Sequence, residues 1–349
     1  MKIVVNDIAA SEGGALAVLH DFINDIRING REHEWIFLLG DKKIKIYEAN
    51  ISILYYENIK SSWIKRLGFE LFSGKHIINE LNPDIYMSLQ NTATIGVKAK
   101  QYVYLHQAIP FQKEKKFSFK NKKERKLAVY QYFFKFLFTF LYTVTKCTLI
   151  VQAEWLKEIL SKSYSNKTIV VPPIIPNLKE DAKNSNINLS KNMNIFFYPA
   201  GNYIYKNHDL LFNAFSKTSD KKSRLYVTVE QRDFPHVKDE RIIFLGKINR
   251  EEVIEIMRQA TLVFPSYIET FGLPLLEARL LNRPIIASDT RFSKEVLMNY
   301  EKKIFFDFNS VEDLRNKIEK NDFKKIYIND IKEPRVNSDK TLVKTILKE

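Results

Sequence analysis

One stretch of this sequence decides the expected fold: Ser266-Tyr-Ile-Glu269-Thr-Phe-Gly272-Leu-Pro-Leu-Leu-Glu277-Ala. The apolar run Thr261–Pro265 precedes it and a helical pattern follows it, which predicts a strand, a loop and a helix. Loops of this kind form ligand sites at the carboxyl edge of parallel sheets. The glycine permits a close backbone approach, and the first helical turn offers N–H groups that favour an anion such as a diphosphate. Glu269 before the helix and Glu277 one turn into it would bind a polyol at both ends.

Short apolar runs alternate with helical patterns through the whole chain. The strands predicted in the first half are Lys2–Asn6, Glu34–Leu39, Ile51–Tyr55, Asp84–Leu89, Gln101–His106, Thr148–Gln152 and Thr168–Val171. The strands predicted in the second half are Asn194–Ala200, Arg224–Glu230, Arg241–Leu245, Thr261–Pro265, Pro284–Ser288 and Lys302–Phe306. Because helical stretches lie between several of these runs, the order predicts parallel sheets with crossover helices.

The length and a break near the middle of the chain predict two domains. A chain of 349 residues exceeds one ordinary core and suits two domains of about 150–180 residues each. The break begins with Pro172-Pro-Ile-Ile-Pro176 and continues with polar residues, which is typical of a linker. We therefore expect domains at 1–172 and 194–349 and a linker at 173–193. The tail from about residue 321 is a candidate to pack back on the first domain.

Composition narrows the class of protein. A hydrophobic content of 45% indicates a globular protein. The single cysteine, Cys147, cannot form an internal disulfide, and Met1–Val5 reads as a strand rather than a signal peptide, so we expect a cytoplasmic protein. The net charge of +14 favours polyanions or anionic membranes. No nucleic-acid-binding signature accompanies that charge, so we expect no nucleic-acid partner.

Much of the positive charge lies in one unusual segment. Residues 113–126 contain eight Lys or Arg and two Glu, interleaved with Phe117 and Phe119. An apolar run at 127–144 follows, interrupted by Gln131 and Lys135, which argues against a membrane-spanning helix. The run itself fits a buried helix of the first domain. The basic, aromatic segment fits an anionic membrane surface, where Lys binds head groups and Phe inserts. Peripheral attachment to the inner face of the cell membrane is therefore our hypothesis.

The pattern Glu269-x7-Glu277, followed by Asn282-Arg-Pro-Ile-Ile-Ala-Ser-Asp289, resembles the donor-sugar site of retaining GT-B glycosyltransferases of family 4. The resemblance implies an α/β protein with two Rossmann-like domains whose parallel sheets face each other across a cleft. It also implies transfer of a sugar from a nucleotide-diphosphate sugar, as co-substrate, to an acceptor hydroxyl with retention at the anomeric carbon. The first domain would bind the acceptor and the second the nucleotide sugar.

The resemblance also assigns roles to residues. Glu269 would contact hydroxyls of the donor sugar, Glu277 would bind the ribose, and the N–H groups of Phe271, Gly272 and Leu273 would bind the diphosphate. Lys206 matches a lysine that binds the donor diphosphate. A fixed cation there stabilises the charge that develops on the leaving group.

One expected cation is missing from its usual place. Many members of that family carry an arginine just after the glycine of this segment, where this chain has Gly201 followed by Asn202. Lys247, which follows Gly246, is a candidate substitute.

Three residues of the first domain complete the expected site. Gly13 and Gly14 lie between the first strand and the first helix, where the resemblance places a loop near the donor phosphates and acceptor, although an ordinary tight turn also fits. His106 ends a strand, where it could hydrogen-bond a sugar hydroxyl or act only as a structural loop residue. No D-x-D motif or metal-ligand spacing occurs, so we expect no metal and no other cofactor.

The sequence therefore predicts a hexosyl- or related transferase that builds a bacterial surface polysaccharide, such as a capsule or O-antigen, on a saccharide or lipid-linked saccharide acceptor. A GT-B nucleotide-sugar epimerase remains an alternative. A non-catalytic partner subunit is another: Lys206 and the two glutamates argue against it, and the missing arginine argues for it.

Overall fold

The computed structural model describes residues 1–10, 13–174, 178, 194–320 and 340–348. The chain divides into two compact units. The N-terminal unit comprises Met1–Ile174 with Val336–Glu349, and the C-terminal unit comprises Ile175–Arg335. The predicted linker at 173–193 lies almost entirely outside the described residues.

The N-terminal unit contains a seven-stranded parallel sheet. Its strands are β1 (Lys2–Asp7), β2 (Glu34–Leu39), β3 (Ile51–Tyr55), β4 (Ile85–Ser88), β5 (Lys100–Leu105), β6 (Thr148–Val151) and β7 (Thr168–Val170). Their order is β3-β2-β1-β4-β5-β6-β7. The chain builds outward from β1 in one direction and then reverses to β4. This reversal is a topological switch point, where α/β proteins usually bind ligands.

The helices of this unit cover the sheet. They are α1 (Gly13–Asn29), α2 (Glu57–Lys60), α3 (Trp63–Gly68), α4 (Gly74–Glu80), α5 (Arg125–Val129), α6 (Lys135–Thr145), α7 (Glu154–Ser161) and the helix Leu342–Lys348 near the end of the chain. A π-helical turn, Phe69–Ser73, joins α3 to α4, and a second, Tyr130–Phe134, joins α5 to α6.

The helix Leu342–Lys348 belongs with the N-terminal unit. Val343 and Ile346 are fully buried in the core that also contains Phe22 and Trp35. The Val343 N–H donates a 2.8 Å hydrogen bond to Asp25 Oδ2, which satisfies one of the unpaired donors at the start of the helix. The end of the described chain is therefore part of the first core.

The C-terminal unit contains a six-stranded parallel sheet. Its strands are β8 (Ile195–Tyr198), β9 (Arg224–Val227), β10 (Ile242–Phe244), β11 (Thr261–Phe264), β12 (Ile285–Ser288) and β13 (Lys303–Phe306), in the order β10-β9-β8-β11-β12-β13. The helices that accompany it are α8 (His208–Ser216), α9 (Arg250–Gln259), α10 (Leu273–Leu280), α11 (Arg291–Val296) and α12 (Val311–Lys320). The switch point of this sheet lies between β8 and β11.

The predicted strands all form, and the prediction of two Rossmann-like domains with parallel sheets is confirmed. Strands β4, β6, β8, β11 and β12 are entirely buried, which explains why they appear in the sequence as continuous apolar runs.

The helical segment Arg125–Thr145 differs from a core helix. By length and composition alone it is long and apolar enough to cross a membrane, and only 28% of its most apolar part is buried. Phe138, Leu141 and Tyr142 face the core, whereas Phe136 is 73% exposed. The segment therefore carries apolar side chains on its exposed face as well as on its buried face.

The predicted role of Phe117 at a membrane surface is wrong. Phe117 is 3% exposed, and its N–H donates a 2.7 Å hydrogen bond to the buried Gln131 side chain. The Gln131 amide also donates to the Lys115 carbonyl, so it fastens the basic segment to the helix. Phe119 is 51% exposed and stays on the surface.

Candidate functional site

Lys206 and Glu269 meet at the switch point of the C-terminal sheet. Lys206 follows β8 and Glu269 follows β11, which are adjacent strands although the two residues are far apart in sequence. Lys206 Nζ lies 2.5 Å from Glu269 Oε1, and both side chains are 17% exposed. A lysine and a carboxylate predicted to bind one donor are thus paired with each other, partly shielded from water.

One oxygen of Glu269 remains open to a ligand. Ser266 Oγ donates a 2.6 Å hydrogen bond to Oε1, the same oxygen that Lys206 contacts. No described residue donates to Oε2. This oxygen can therefore accept a hydrogen bond from a sugar hydroxyl while Oε1 stays fixed.

The backbone around Lys206 holds its side chain in place. A short 3₁₀ turn, Ile204–Lys206, ends at Asn207, which has a left-handed conformation with φ of 60°. The Tyr198 hydroxyl donates a 2.9 Å hydrogen bond to the Lys206 carbonyl, and the Tyr267 N–H donates to the Tyr205 carbonyl at 3.0 Å. These bonds tie the loop after β8 to the loop after β11.

The predicted diphosphate-binding turn begins α10. Gly272 occupies the N-cap position with φ of 89°, a conformation that residues with a Cβ rarely adopt. Pro274 lies in the first turn, where a missing N–H costs little. The backbone of Phe271, Gly272 and Leu273 therefore leads directly into a helix N-terminus, which favours an anion.

Glu277 lies one turn into α10 and has a partner that the sequence did not reveal. Its side chain is 3% exposed, and Oε1 lies 2.8 Å from a guanidinium nitrogen of Arg250, the first residue of α9. Arg250 is 39% exposed. An arginine at the start of a helix is too common to identify from sequence alone, and only the fold shows that it reaches Glu277.

The candidate substitute for the missing arginine follows a different strand from Lys206. Lys247 is exposed after β10, which is two strands away from β8, or about 10 Å at the usual strand spacing. Asn202 is also exposed. Of the cations considered from the sequence, Lys206 is the one that the structure places beside Glu269.

His106, Gly13 and Gly14 lie in the N-terminal unit. Gly13 begins α1, and Gly14 is exposed with no heavy atom within 4 Å of an added Cβ. His106 lines a pocket of about 200 Å³. Ala15, the residue after Gly14, lines the same pocket. Burial lowers the pKa of His106 to about 4, so its imidazole is neutral at pH 7 and can both donate and accept hydrogen bonds.

Two buried carboxyl groups in this pocket were not predicted. Asp7 ends β1 and is 2% exposed, and burial raises its pKa to about 8. Glu70 is also 2% exposed, and burial raises its pKa to about 7. Gln90 and Thr92 each donate a 2.8 Å hydrogen bond to Glu70. A carboxyl group inside an apolar strand or helix gives no sequence signal of its own.

Among the described residues, no group of three or more His, Cys, Asp or Glu side chains has an arrangement that could hold a metal ion. The cations near Glu269 and Glu277 are the side chains of Lys206 and Arg250.

The fold defines a class of protein. Two Rossmann-like units, each with a parallel sheet, are the architecture of the GT-B fold. Residues 179–321 match the model of the family described as "Glycosyl transferases group 1". No curated protein matches the chain significantly.

Solved structures share the fold at low sequence identity. Sucrose-phosphate synthase from Thermosynechococcus elongatus is 16% identical, with a TM-score of 0.63 over 91% of this chain and 88% of that one. HepE from Anabaena, solved with UDP and glucose, is 15% identical, with a TM-score of 0.63 over 91% and 89%. WaaG, a glycosyltransferase involved in lipopolysaccharide biosynthesis, is 13% identical, with a TM-score of 0.61 over 92% of each chain.

The two glycine positions are expected to respond differently to alanine. Gly272→Ala should lower the free energy of unfolding by about 1–2 kcal/mol, because its φ is positive and an added Cβ would lie 3.2 Å from Leu275. Gly14→Ala should leave stability unchanged or slightly higher, because alanine favours a helix by about 0.5–1 kcal/mol. Urea unfolding measures both, and equal destabilisation would contradict the described loop geometry.

Proposed function

We propose that the protein is a retaining glycosyltransferase that moves a sugar from a nucleotide-diphosphate sugar to a hydroxyl group of a lipid-linked saccharide. The observation that carries the proposal is the Lys206–Glu269 pair at the switch point of the C-terminal sheet. The family match over residues 179–321 supports the same class of reaction.

Lys206 acts on the leaving group. As the bond between the anomeric carbon and the phosphate oxygen breaks, negative charge grows on the diphosphate. An ammonium group already fixed in a partly buried position stabilises that charge without reorganising at the moment of reaction. The N-terminus of α10 adds backbone N–H groups aimed at the same anion.

Glu269 orients the donor sugar. Ser266 and Lys206 fix its Oε1, and Oε2 accepts a hydrogen bond from a sugar hydroxyl. When the diphosphate binds, it shares the ammonium group of Lys206 with the glutamate. Glu269 therefore keeps the lysine in place before the donor arrives.

Glu277 and Arg250 bind the nucleoside. The Glu277 carboxylate accepts from the ribose hydroxyls, and Arg250 holds that carboxylate in one orientation. Because the HepE structure contains UDP, UDP-sugars are the first donors to test, beside GDP- and dTDP-sugars.

The acceptor hydroxyl attacks the face that the phosphate leaves, so configuration is retained. The new bond joins the anomeric carbon to the acceptor oxygen, and the departing phosphate oxygen takes the acceptor proton. The neutral imidazole of His106 hydrogen-bonds and orients a hydroxyl of the acceptor. This route needs no enzymic nucleophile, no metal and no further cofactor.

The acceptor and the setting follow from the basic and apolar surface of the N-terminal unit. Residues 113–126 bind anionic head groups, and the exposed side of Arg125–Thr145 adds apolar area. The protein would then work in the cytoplasm at the inner face of the cell membrane, in the synthesis of a surface polysaccharide. WaaG, which shares the fold, is a glycosyltransferase of lipopolysaccharide biosynthesis.

Removal of either charged group should slow transfer. Lys206→Ala and Glu277→Ala should each lower kcat/KM by about 10² or more, because each removes a charged contact to the donor. The donor for the assay is the nucleotide sugar that most raises the unfolding temperature.

Lys217→Ala, an exposed lysine at the end of α8, serves as the control and should keep full activity. Near-wild-type transfer by both site variants would remove the assignment. Release of an altered nucleotide sugar without acceptor would instead establish an epimerase, and donor binding without turnover would establish a non-catalytic subunit.

Chelation should not affect the reaction. Because Lys206 and the α10 N-terminus neutralise the diphosphate, transfer in excess EDTA should proceed at the rate measured without it. A complete loss that Mg²⁺ restores would show that a metal, rather than these groups, neutralises the leaving group.

Membrane binding should depend on the exposed lysines. The protein should co-sediment with phosphatidylglycerol vesicles at low salt, and replacing Lys120, Lys122 and Lys123 by Gln should weaken binding by about 10², at about 1 kcal/mol per lysine. The matched control replaces Lys217, Lys221 and Lys222, which are exposed on the C-terminal unit. The hypothesis would be contradicted if the wild-type protein did not bind the vesicles, or if both triple variants lost vesicle binding equally.

A further inference from the structure

The pocket of about 200 Å³ in the N-terminal unit lies at that sheet's own switch point. It is lined by Asp7 at the end of β1, by Gln90 just after β4 and by His106 just after β5. The carboxyl edge of a parallel sheet at such a point is the usual place for a ligand.

Both π-helical turns in the described part of the chain border this pocket. Glu70 of the turn Phe69–Ser73 and two residues of the turn Tyr130–Phe134 line it. A π turn inserts one residue into a helix, which costs stability, and such turns occur frequently at functional sites. Two of them around one cavity indicate that its shape serves a ligand.

Three polar groups of the pocket lack partners. Asp7 Oδ2, His106 Nδ1 and Arg66 Nε are buried, and none of them has a hydrogen-bond partner among the described residues. A buried polar atom left unpaired costs about 1–3 kcal/mol, so a ligand that pairs with these atoms gains that energy. Together they suit a ligand that carries hydroxyl groups and an anion.

The guanidinium group of Arg66 indicates which kind of anion would fit the pocket. It lies one turn before Glu70, yet the Glu70 carboxyl is held by Gln90 and Thr92 instead, and no ion pair joins Arg66 to any described residue. A guanidinium group offers parallel N–H donors that match a phosphate in a bidentate way. The group that suits this position is a phosphate ester.

An apolar surface continues from the mouth of the pocket. Trp63 lines the pocket, is 51% exposed, and contacts Phe133 edge to face with ring centroids 6.1 Å apart. Phe136 and Phe140, further along the same helix, are 73% and 44% exposed. An alkyl or isoprenoid chain attached to the phosphate can lie along these rings.

We propose that this pocket binds the phosphate-linked sugar of a lipid-linked acceptor, with Arg66 on the phosphate, Asp7 and His106 on the sugar hydroxyls, and the lipid chain across Trp63 and Phe133. The inference rests on the proposed function, and it identifies the acceptor as a glycolipid joined through phosphate. A neutral glycolipid would leave Arg66 unpaired.

The test measures binding directly, so it does not require transfer. Farnesyl phosphate is the probe, and Trp63 is the reporter, because the other two tryptophans, Trp35 and Trp155, are buried. The fluorescence of the wild-type protein should change on titration with farnesyl phosphate, and farnesol should bind roughly tenfold or more weakly, as loss of charge-assisted hydrogen bonds implies.

Variants of Arg66 test whether this residue binds the phosphate group of the probe. Arg66→Gln should weaken farnesyl phosphate binding by about tenfold or more and leave farnesol binding unchanged, and Arg66→Lys should recover part of the loss. Lys65→Gln, an exposed neighbour on α3, is the control and should bind as the wild type does. Circular dichroism confirms that each variant is folded.

Three outcomes would overturn the proposal. Equal binding of farnesyl phosphate and farnesol would remove the phosphate site, and equal affinity for inorganic phosphate would remove the lipid. Equal, Arg66-dependent binding of dihexanoyl phosphatidylglycerol would identify a site for membrane phospholipid rather than for the acceptor. Because donor-dependent transfer is measured separately, each of these results leaves the proposed transferase activity intact.

Discussion

The ion pair between Lys206 and Glu269 is the interaction on which the C-terminal site depends. Two opposite charges that are only 17% exposed are stable there because each neutralises the other. The pair forms because β8 and β11 are neighbours in space although two strands and two helices separate them in sequence. The reversal of strand order therefore creates the site, and the side chains then define its chemistry. Under the proposed function, the diphosphate would share the Lys206 ammonium group with Glu269.

The same topological rule acts in the N-terminal unit with different side chains. There the switch point contains Asp7, Glu70 and His106; burial raises the pKa of Asp7 to about 8 and lowers that of His106 to about 4, so both are largely neutral at pH 7, whereas Glu70, with a pKa of about 7, is only partly neutral. Neutral polar groups suit hydroxyl recognition, because they bind without the cost of desolvating a charge. Arg66 at the edge of the pocket supplies a cation beside exposed aromatic rings. Under the two proposals, one unit would bind a charged leaving group and the other an amphiphilic ligand.

The strands and the loop before α10 were predictable because they depend on local patterns, whereas the Lys206–Glu269 ion pair was not, since it joins residues 63 positions apart in sequence. Buried parallel strands leave apolar runs, and Gly272 with Pro274 marks a loop that leads into a helix. Arg250, Asp7 and Arg66 were not predictable, because their importance arises from neighbours distant in the sequence. The two π turns were not predicted from the sequence either, because one inserted residue barely alters the apolar periodicity of a helix. Phe117 was misread because a basic neighbourhood suggests exposure, whereas Gln131 draws its backbone into the core.

The most direct test of the central claim is to compare diphosphate and nucleoside binding by calorimetry in the wild type and in Lys206→Ala. The ligand is whichever of UDP, GDP and dTDP most raises the unfolding temperature, together with its nucleoside. The account predicts that the variant binds the diphosphate about tenfold or more weakly, as expected for a lost charge-assisted contact, and binds the nucleoside unchanged. Equal affinity of both proteins for the diphosphate would contradict it.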